Sequence, residues 1–133
     1  MADWQAVGID SLKTAQKLLE LGKAQDHDTY WRSMVSRAYY AVFAAVTAEL
    51  RRCKVTFKPG WGGPTHAVVP KLAKSHLTML SNRTRQDMFR IIRRLYLARI
   101  DADYVPGITV DRASALNVYF QALDVFRYLG IKV

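Results

Sequence analysis

The chain has 133 residues, half of them apolar, which suits one folded domain with a hydrophobic core and argues against a disordered chain. No stretch approaches the roughly 18 uninterrupted apolar residues of a membrane span, and the first ten residues lack the basic-then-apolar order of a signal peptide. Cys53 is the only cysteine, which excludes an intrachain disulfide and a thiolate zinc site. A cytoplasmic protein that does not enter a membrane is therefore expected.

The net charge of +9 is concentrated in the middle of the chain. Residues 51–100 contain twelve lysines and arginines and a single acidic residue, Asp87, so this segment alone carries +11. Such an asymmetry indicates an anionic partner, and nucleic acid is the partner that it favours. A solvated basic surface that improves solubility is the alternative.

Two helices are predicted in the first part of the chain. The first begins at an Asp10 cap and ends at Gly22, because apolar residues recur at helical spacing between them. The second is capped by Asp28 or Thr29 and covers "YWRSMVSRAYYAVFAAVTAELRRC". Its broad apolar stripe is rich in alanine, which lets another helix approach closely, so it is predicted to be the central helix.

An irregular segment, "KVTFKPGWGGPT" at residues 54–65, separates these helices from the rest. Its Trp61 is predicted to lie over the bundle as a lid or to stack on a base. A shorter third helix follows over 66–80, with Pro70 in its first turns.

Two further helices complete the pattern. The fourth is capped by Thr84 and places Arg90 and Arg94 on one outer face, opposite an apolar stripe. The fifth is capped by Thr109 and closed by Gly130. No alternating strand pattern competes, so we expect an all-α antiparallel bundle of about five helices, a single domain over 1–133 with its core at about 10–129.

Candidate functional residues fall in three places. In "SRAYYAVF", Arg37 and Tyr40 are one turn apart, and Arg37 must either lie at the surface or meet an acid. His66 begins the third helix, where its ring can reach solvent. The three histidines of the chain lack the spacing of a zinc-binding helix, so neither a metal site nor a cofactor is expected.

The third place is "LYLARIDADYVPG", residues 95–107. Arg99 continues the apolar stripe of the fourth helix, and Asp103 and Tyr104 follow it. The helix dipole and an Arg99–Asp103 ion pair explain the arginine near a helix end. They do not explain an arginine on the apolar stripe, unless it faces a cleft or a second subunit.

These three motifs, in this order, resemble the HEPN superfamily, in particular the small stand-alone proteins found beside minimal nucleotidyltransferases. The resemblance covers about residues 10–129. It implies an antiparallel helical bundle, a homodimer, and RNA cleavage or nucleotide handling in toxin–antitoxin, defence or stress systems. It also implies that Arg99 is the family's functional arginine. In the family a histidine follows this arginine after four to six intervening residues, and its place, five positions after Arg99, is taken here by Tyr104.

Three functions follow from this reading. The first is an RNA- or nucleotide-binding homodimer whose cleft is lined by Arg37, Tyr40, Arg99, Asp103 and Tyr104. The second is a metal-independent ribonuclease toxin that uses Arg99 with Tyr104 or His66; a tyrosine is a poor base near neutrality but can donate a proton. The third is a protein–protein module that partners a nucleotidyltransferase.

Overall fold

The computed structural model describes residues 3–57 and 63–133, and it confirms the all-α bundle. In these ranges no β-strand forms, and there are five α-helices and one short 3-10 helix. The α-helices are α1 (Trp4–Gln25), α2 (Asp28–Arg52), α3 (Val69–His76), α4 (Asn82–Tyr104) and α5 (Arg112–Tyr128). The 3-10 helix, His66–Val68, leads directly into α3. None of the described helices is both long and apolar enough to cross a membrane.

The central position predicted for α2 is confirmed, since it packs against all four other α-helices. Its inward face is almost completely buried and carries large side chains such as Trp31 and Tyr39 beside fully buried alanines. The alanines allow α1 to lie very close: a Cβ placed on Gly8 would be 3.0 Å from the Ala41 carbonyl oxygen. Small residues on both helices therefore set the distance between α1 and α2.

The predicted bounds of the first helix are wrong at both ends. The helix begins six residues before Asp10, because the Asp3 side chain caps it by accepting a hydrogen bond from the Ala6 N–H. It also continues past Gly22, where a Cβ would lie only 2.6 Å from the Trp31 ring. Gly22 is therefore needed for close packing and does not end the helix; Asp26, in the left-handed conformation, ends it.

The other predicted caps also differ from the observed ones. His27 caps α2, with its Nδ1 accepting from the Thr29 N–H. Ser81 caps α4 and Asp111 caps α5, so neither Thr84 nor Thr109 has the predicted role. In each case the observed cap is a side chain with an oxygen or nitrogen acceptor that satisfies free N–H groups of the first turn.

The last part of the chain follows the prediction more closely. The third helix is shorter than predicted, because its first turn is 3-10 and α3 ends at His76. Pro70 lies in the first turn of α3, as expected. Gly130 follows α5 with φ of +71°, a conformation that favours glycine, which confirms its role in ending this helix.

Arg32 of α2 fixes the carboxyl end of α4. Its Nε forms an ion pair with Asp28 at 2.6 Å. Its two terminal nitrogens donate to four backbone carbonyls at and beyond the end of α4, those of Asp101, Ala102, Val105 and Ile108. A positive charge here complements the helix dipole and the unpaired carbonyls of the last turn. This contact places the residues that follow Arg99 against α2.

Candidate functional site

Arg99 lies in the last turns of α4, half-buried between two tyrosine rings. Its side chain is 24 % exposed, and its Nε forms an ion pair with the Asp103 Oδ2 at 3.0 Å. The guanidinium carbon is 5.9 Å from the centre of the Tyr39 ring and 5.5 Å from that of Tyr104. Tyrosine faces attract a guanidinium, so these contacts explain an arginine on the apolar stripe of the helix. The predicted Arg99–Asp103 pair is confirmed.

Tyr39 connects Arg99 to His66. Its side chain is only 1 % exposed, and its hydroxyl is 2.8 Å from the His66 Nδ1. Burial raises the pKa of the Tyr39 hydroxyl above its usual range, although the charge of Arg99 acts in the opposite direction. Tyr39 therefore stays neutral, and its hydroxyl can donate a hydrogen bond to His66 or accept one from it.

His66 is held against the aromatic side chains of α2. Its ring centre is 4.2 Å from that of Phe43 and 5.5 Å from that of Tyr39. Burial, and after it the positive charge of Arg99, lower the pKa of the His66 imidazole below its usual value of 6.5. His66 is consequently neutral at physiological pH, and a neutral imidazole has one nitrogen free to accept a proton.

Ser36 completes the group by donating a hydrogen bond to the Asp103 Oδ2 over 3.2 Å. We refer to the residues brought together here as the Arg99 cluster: Ser36, Tyr39, His66, Arg99, Asp103 and Tyr104. They come from α2, the 3-10 helix and α4, three segments that are far apart in the sequence. The cluster thus contains a cation, a carboxylate, two phenols and a neutral imidazole.

Arg37 lies beside the cluster, in the groove that Ser36 and Asp103 also line, whereas Tyr40 is partly buried against the core. The Arg37 guanidinium carbon is 5.6 Å from the centre of the Tyr40 ring, which lies one helical turn away. Arg37 is exposed, so of the two predicted alternatives the surface position is the observed one. Arg37 and Asp103 line the same open groove between α1, α2 and α4.

Arg90 and Arg94 lie away from the cluster, on the outer face of α4 predicted for them. Both are exposed, together with Arg83 on the same face. Arg90 forms an ion pair with Asp87, the one acidic residue between 51 and 100. We refer to the exposed cations of α3 and α4 as the basic face: Lys71, Lys74, Arg83, Arg90, Arg93 and Arg94.

Sequence reasoning missed three residues of this region, Ser36, Tyr39 and Arg32. None of them is singled out by the sequence pattern. A signal for Tyr39 exists, because a buried tyrosine hydroxyl requires a hydrogen-bond partner. The sequence alone does not show that the partner is His66. The Trp61 prediction falls outside the described residues.

Comparison of the chain with protein-family models, with curated proteins and with solved structures found no match. Within residues 3–57 and 63–133, no group of three or more His, Cys, Asp or Glu side chains is placed so that it could hold a metal ion.

Proposed function

We propose that the protein binds RNA as a HEPN-type homodimer, in a toxin–antitoxin, defence or stress system, with Arg99 at the centre of its binding cleft. The observation that carries the proposal is the position of the Arg99 cluster at the end of a basic helix. The outer face of α4 presents exposed arginines along its length, and its last turns carry the half-buried Arg99.

The basic face supplies affinity without sequence preference. The basic face has six cations, and Asp87 is the single acid in this part of the sequence. Of the six, only Arg90 forms an ion pair with Asp87. A surface of this kind attracts a phosphate backbone and releases counterions when it binds, so affinity falls steeply with salt concentration. Phosphate contacts of this type orient a nucleic acid but do not read its bases.

Arg99 supplies a specific phosphate contact. A guanidinium has five N–H donors, and only Nε of Arg99 has a hydrogen-bond or ion-pair partner in the described part of the chain. Asp103 and the two tyrosine rings hold the side chain in one orientation, so its terminal nitrogens are preorganised for an anionic oxygen. Tyr104, 66 % exposed, offers its ring beside that position for a base to stack on.

The test is binding of a fluorescent single-stranded RNA at increasing salt concentration. We expect Arg90→Ala/Arg94→Ala to lower the affinity about tenfold at low salt and to reduce the salt slope by about two, one for each phosphate that these arginines neutralise. The matched control is Lys13→Ala/Lys17→Ala, an exposed pair with the same spacing on α1, which should change affinity little. Wild-type binding that is absent or insensitive to salt would refute RNA binding.

A second function, metal-independent RNA cleavage, is favoured by the contact between His66 and Tyr39. Cleavage requires one group to take the proton of the 2′-hydroxyl and another to protonate the 5′-oxygen that leaves. The neutral His66 imidazole suits the first step, and the Tyr104 hydroxyl suits the second. Arg99 would stabilise the extra negative charge on the phosphate in the transition state.

Cleavage is tested by comparing wild type with Arg99→Ala and Tyr104→Phe, both for growth on expression and for breakage of RNA in vitro. An active ribonuclease predicts that wild type slows growth and cleaves RNA, and that Arg99→Ala abolishes both effects. Tyr104→Phe should reduce the cleavage rate about 100-fold, a typical effect of removing a general acid. If wild type and both variants are equally harmless and none cleaves RNA, only binding remains.

A further inference from the structure

The open groove beside Asp103 has a different chemical character from the basic face. It has a volume of about 460 Å³ and lies between α1, α2 and the end of α4. This size is within the range of pockets that hold small ligands. Asp103 belongs both to the wall of the groove and to the Arg99 cluster, so the groove is continuous with the proposed binding site.

One wall of the groove is a polar strip along α2. Thr29, Ser33 and Arg37 are spaced four residues apart, and Ser36 lies between the last two, so their side chains share one face of the helix. From Thr29 to Arg37 the strip is about 12 Å long. That length accommodates one nucleoside together with its phosphate.

The hydroxyl groups of this strip are available to a ligand. The side chains of Thr29 and Ser33 are exposed, and neither hydroxyl has a hydrogen-bond partner within residues 3–57 and 63–133. Asp103 uses Oδ2 for both Arg99 and Ser36, while its Oδ1 has no partner among the described residues. A carboxylate has about four acceptor sites in total, so Asp103 can still accept a further hydrogen bond.

We propose that this groove binds the ribose of the nucleotide next to the Arg99-bound phosphate and makes the protein prefer RNA to DNA. Asp103 would accept a hydrogen bond from the 2′-hydroxyl, and Ser33, one turn from Ser36, would donate one to it. Carboxylates recognise ribose hydroxyls in other nucleotide sites, and the 2′-hydroxyl is the group by which proteins distinguish RNA from DNA. Arg37 would contact the adjoining phosphate, which both nucleic acids possess.

This inference rests on the proposed RNA binding and adds the sugar to it. It is tested by measuring the affinity of three oligonucleotides of one sequence: RNA, DNA and 2′-O-methyl RNA. Wild type should bind RNA about tenfold more tightly than DNA, as expected for one to two hydrogen bonds. The 2′-O-methyl RNA should bind like DNA, because it keeps the RNA sugar pucker but cannot donate a 2′ hydrogen bond.

Thr29→Val/Ser33→Ala removes the two free hydroxyls. It removes no hydrogen bond within the described residues, because neither hydroxyl makes one there. We expect this variant to bind RNA about fivefold more weakly and to keep its DNA affinity within about twofold. The control variant, Ser75→Ala/Thr78→Val, removes two exposed hydroxyls near the basic face and should leave the RNA-to-DNA ratio unchanged. A thermal melt checks that both variants fold.

The two ways in which these experiments can fail are distinguishable. If wild type binds RNA and DNA equally, or if Thr29→Val/Ser33→Ala keeps the wild-type preference, the ribose site is refuted and RNA binding stands. If wild type binds none of the three oligonucleotides, RNA binding is refuted, and the ribose site is refuted with it.

Discussion

Arg32 and Arg99 have similar surroundings, but we assign a structural role to Arg32 and a binding role to Arg99. Both contact the carboxyl end of α4, and both pair through Nε with an aspartate four residues away, at 2.6 Å for Arg32 and 3.0 Å for Arg99. Their side chains are also similarly exposed, at 18 % and 24 %. Burial and ion pairing alone therefore do not distinguish a structural arginine from a functional one.

The difference lies in the donors that remain. Arg32 uses both terminal nitrogens on backbone carbonyls, in addition to its bond with Asp28, so it has little capacity for a ligand. Arg99 makes one ion pair within the described residues, through Nε, and its guanidinium lies near the rings of Tyr39 and Tyr104. We base the assignment of Arg99 on these unused donors, because burial and ion pairing are alike in the two side chains.

The largest effect that tests this comparison is on stability. Arg32→Ala leaves Asp28 with only the hydrogen bond from the Val110 N–H and removes the donor from several carbonyls at the end of α4, so we expect it to lower the free energy of unfolding by about 3 kcal/mol. Arg99→Ala removes one partly exposed ion pair and two contacts with tyrosine rings, and should lower it by about 1 kcal/mol. Urea denaturation of the two variants and wild type measures both values.

Equal decreases in the two variants would remove the distinction between the two arginines. A large decrease in Arg99→Ala with a small one in Arg32→Ala would reverse the assignment and make Arg99 the structural residue.

The sequence predicts the number of helices, the central position of α2 and the inward position of Arg99, because each depends on a local apolar period. It also predicts the Arg99–Asp103 pair, since this pair joins residues one turn apart on one helix. These features need no knowledge of how the helices are arranged in space.

The parts that sequence reasoning did not predict depend on contacts between distant segments. Arg32 meets carbonyls about seventy positions later, and Tyr39 meets His66 across the irregular segment. Gly22 was interpreted as a helix end because the packing of the Trp31 ring against it is invisible in the local pattern. The side chains around Arg99 could be named as candidates, but their connection through Tyr39 required the fold.

The smallest expected effect is on the pH dependence of stability, and it depends on Arg99 but not on Arg32. The pKa of His66 is lower in the folded protein than its usual 6.5, by burial first and by the Arg99 charge second. As pH falls below about 6.5, His66 therefore takes up a proton in the unfolded chain before it does so in the folded one. The free energy of unfolding decreases in that range, and above about pH 6.5 His66 causes no loss of stability. His66→Gln should remove this part of the decrease, and Arg99→Ala should make it smaller by removing the positive charge, whereas Arg32→Ala should leave the slope as in wild type. Urea unfolding of each protein between about pH 8 and pH 5 measures how the free energy of unfolding depends on pH. Parallel profiles for wild type and His66→Gln would mean that burial and the Arg99 charge do not lower the pKa of His66. The His66 imidazole would then no longer count as part of the Arg99 cluster.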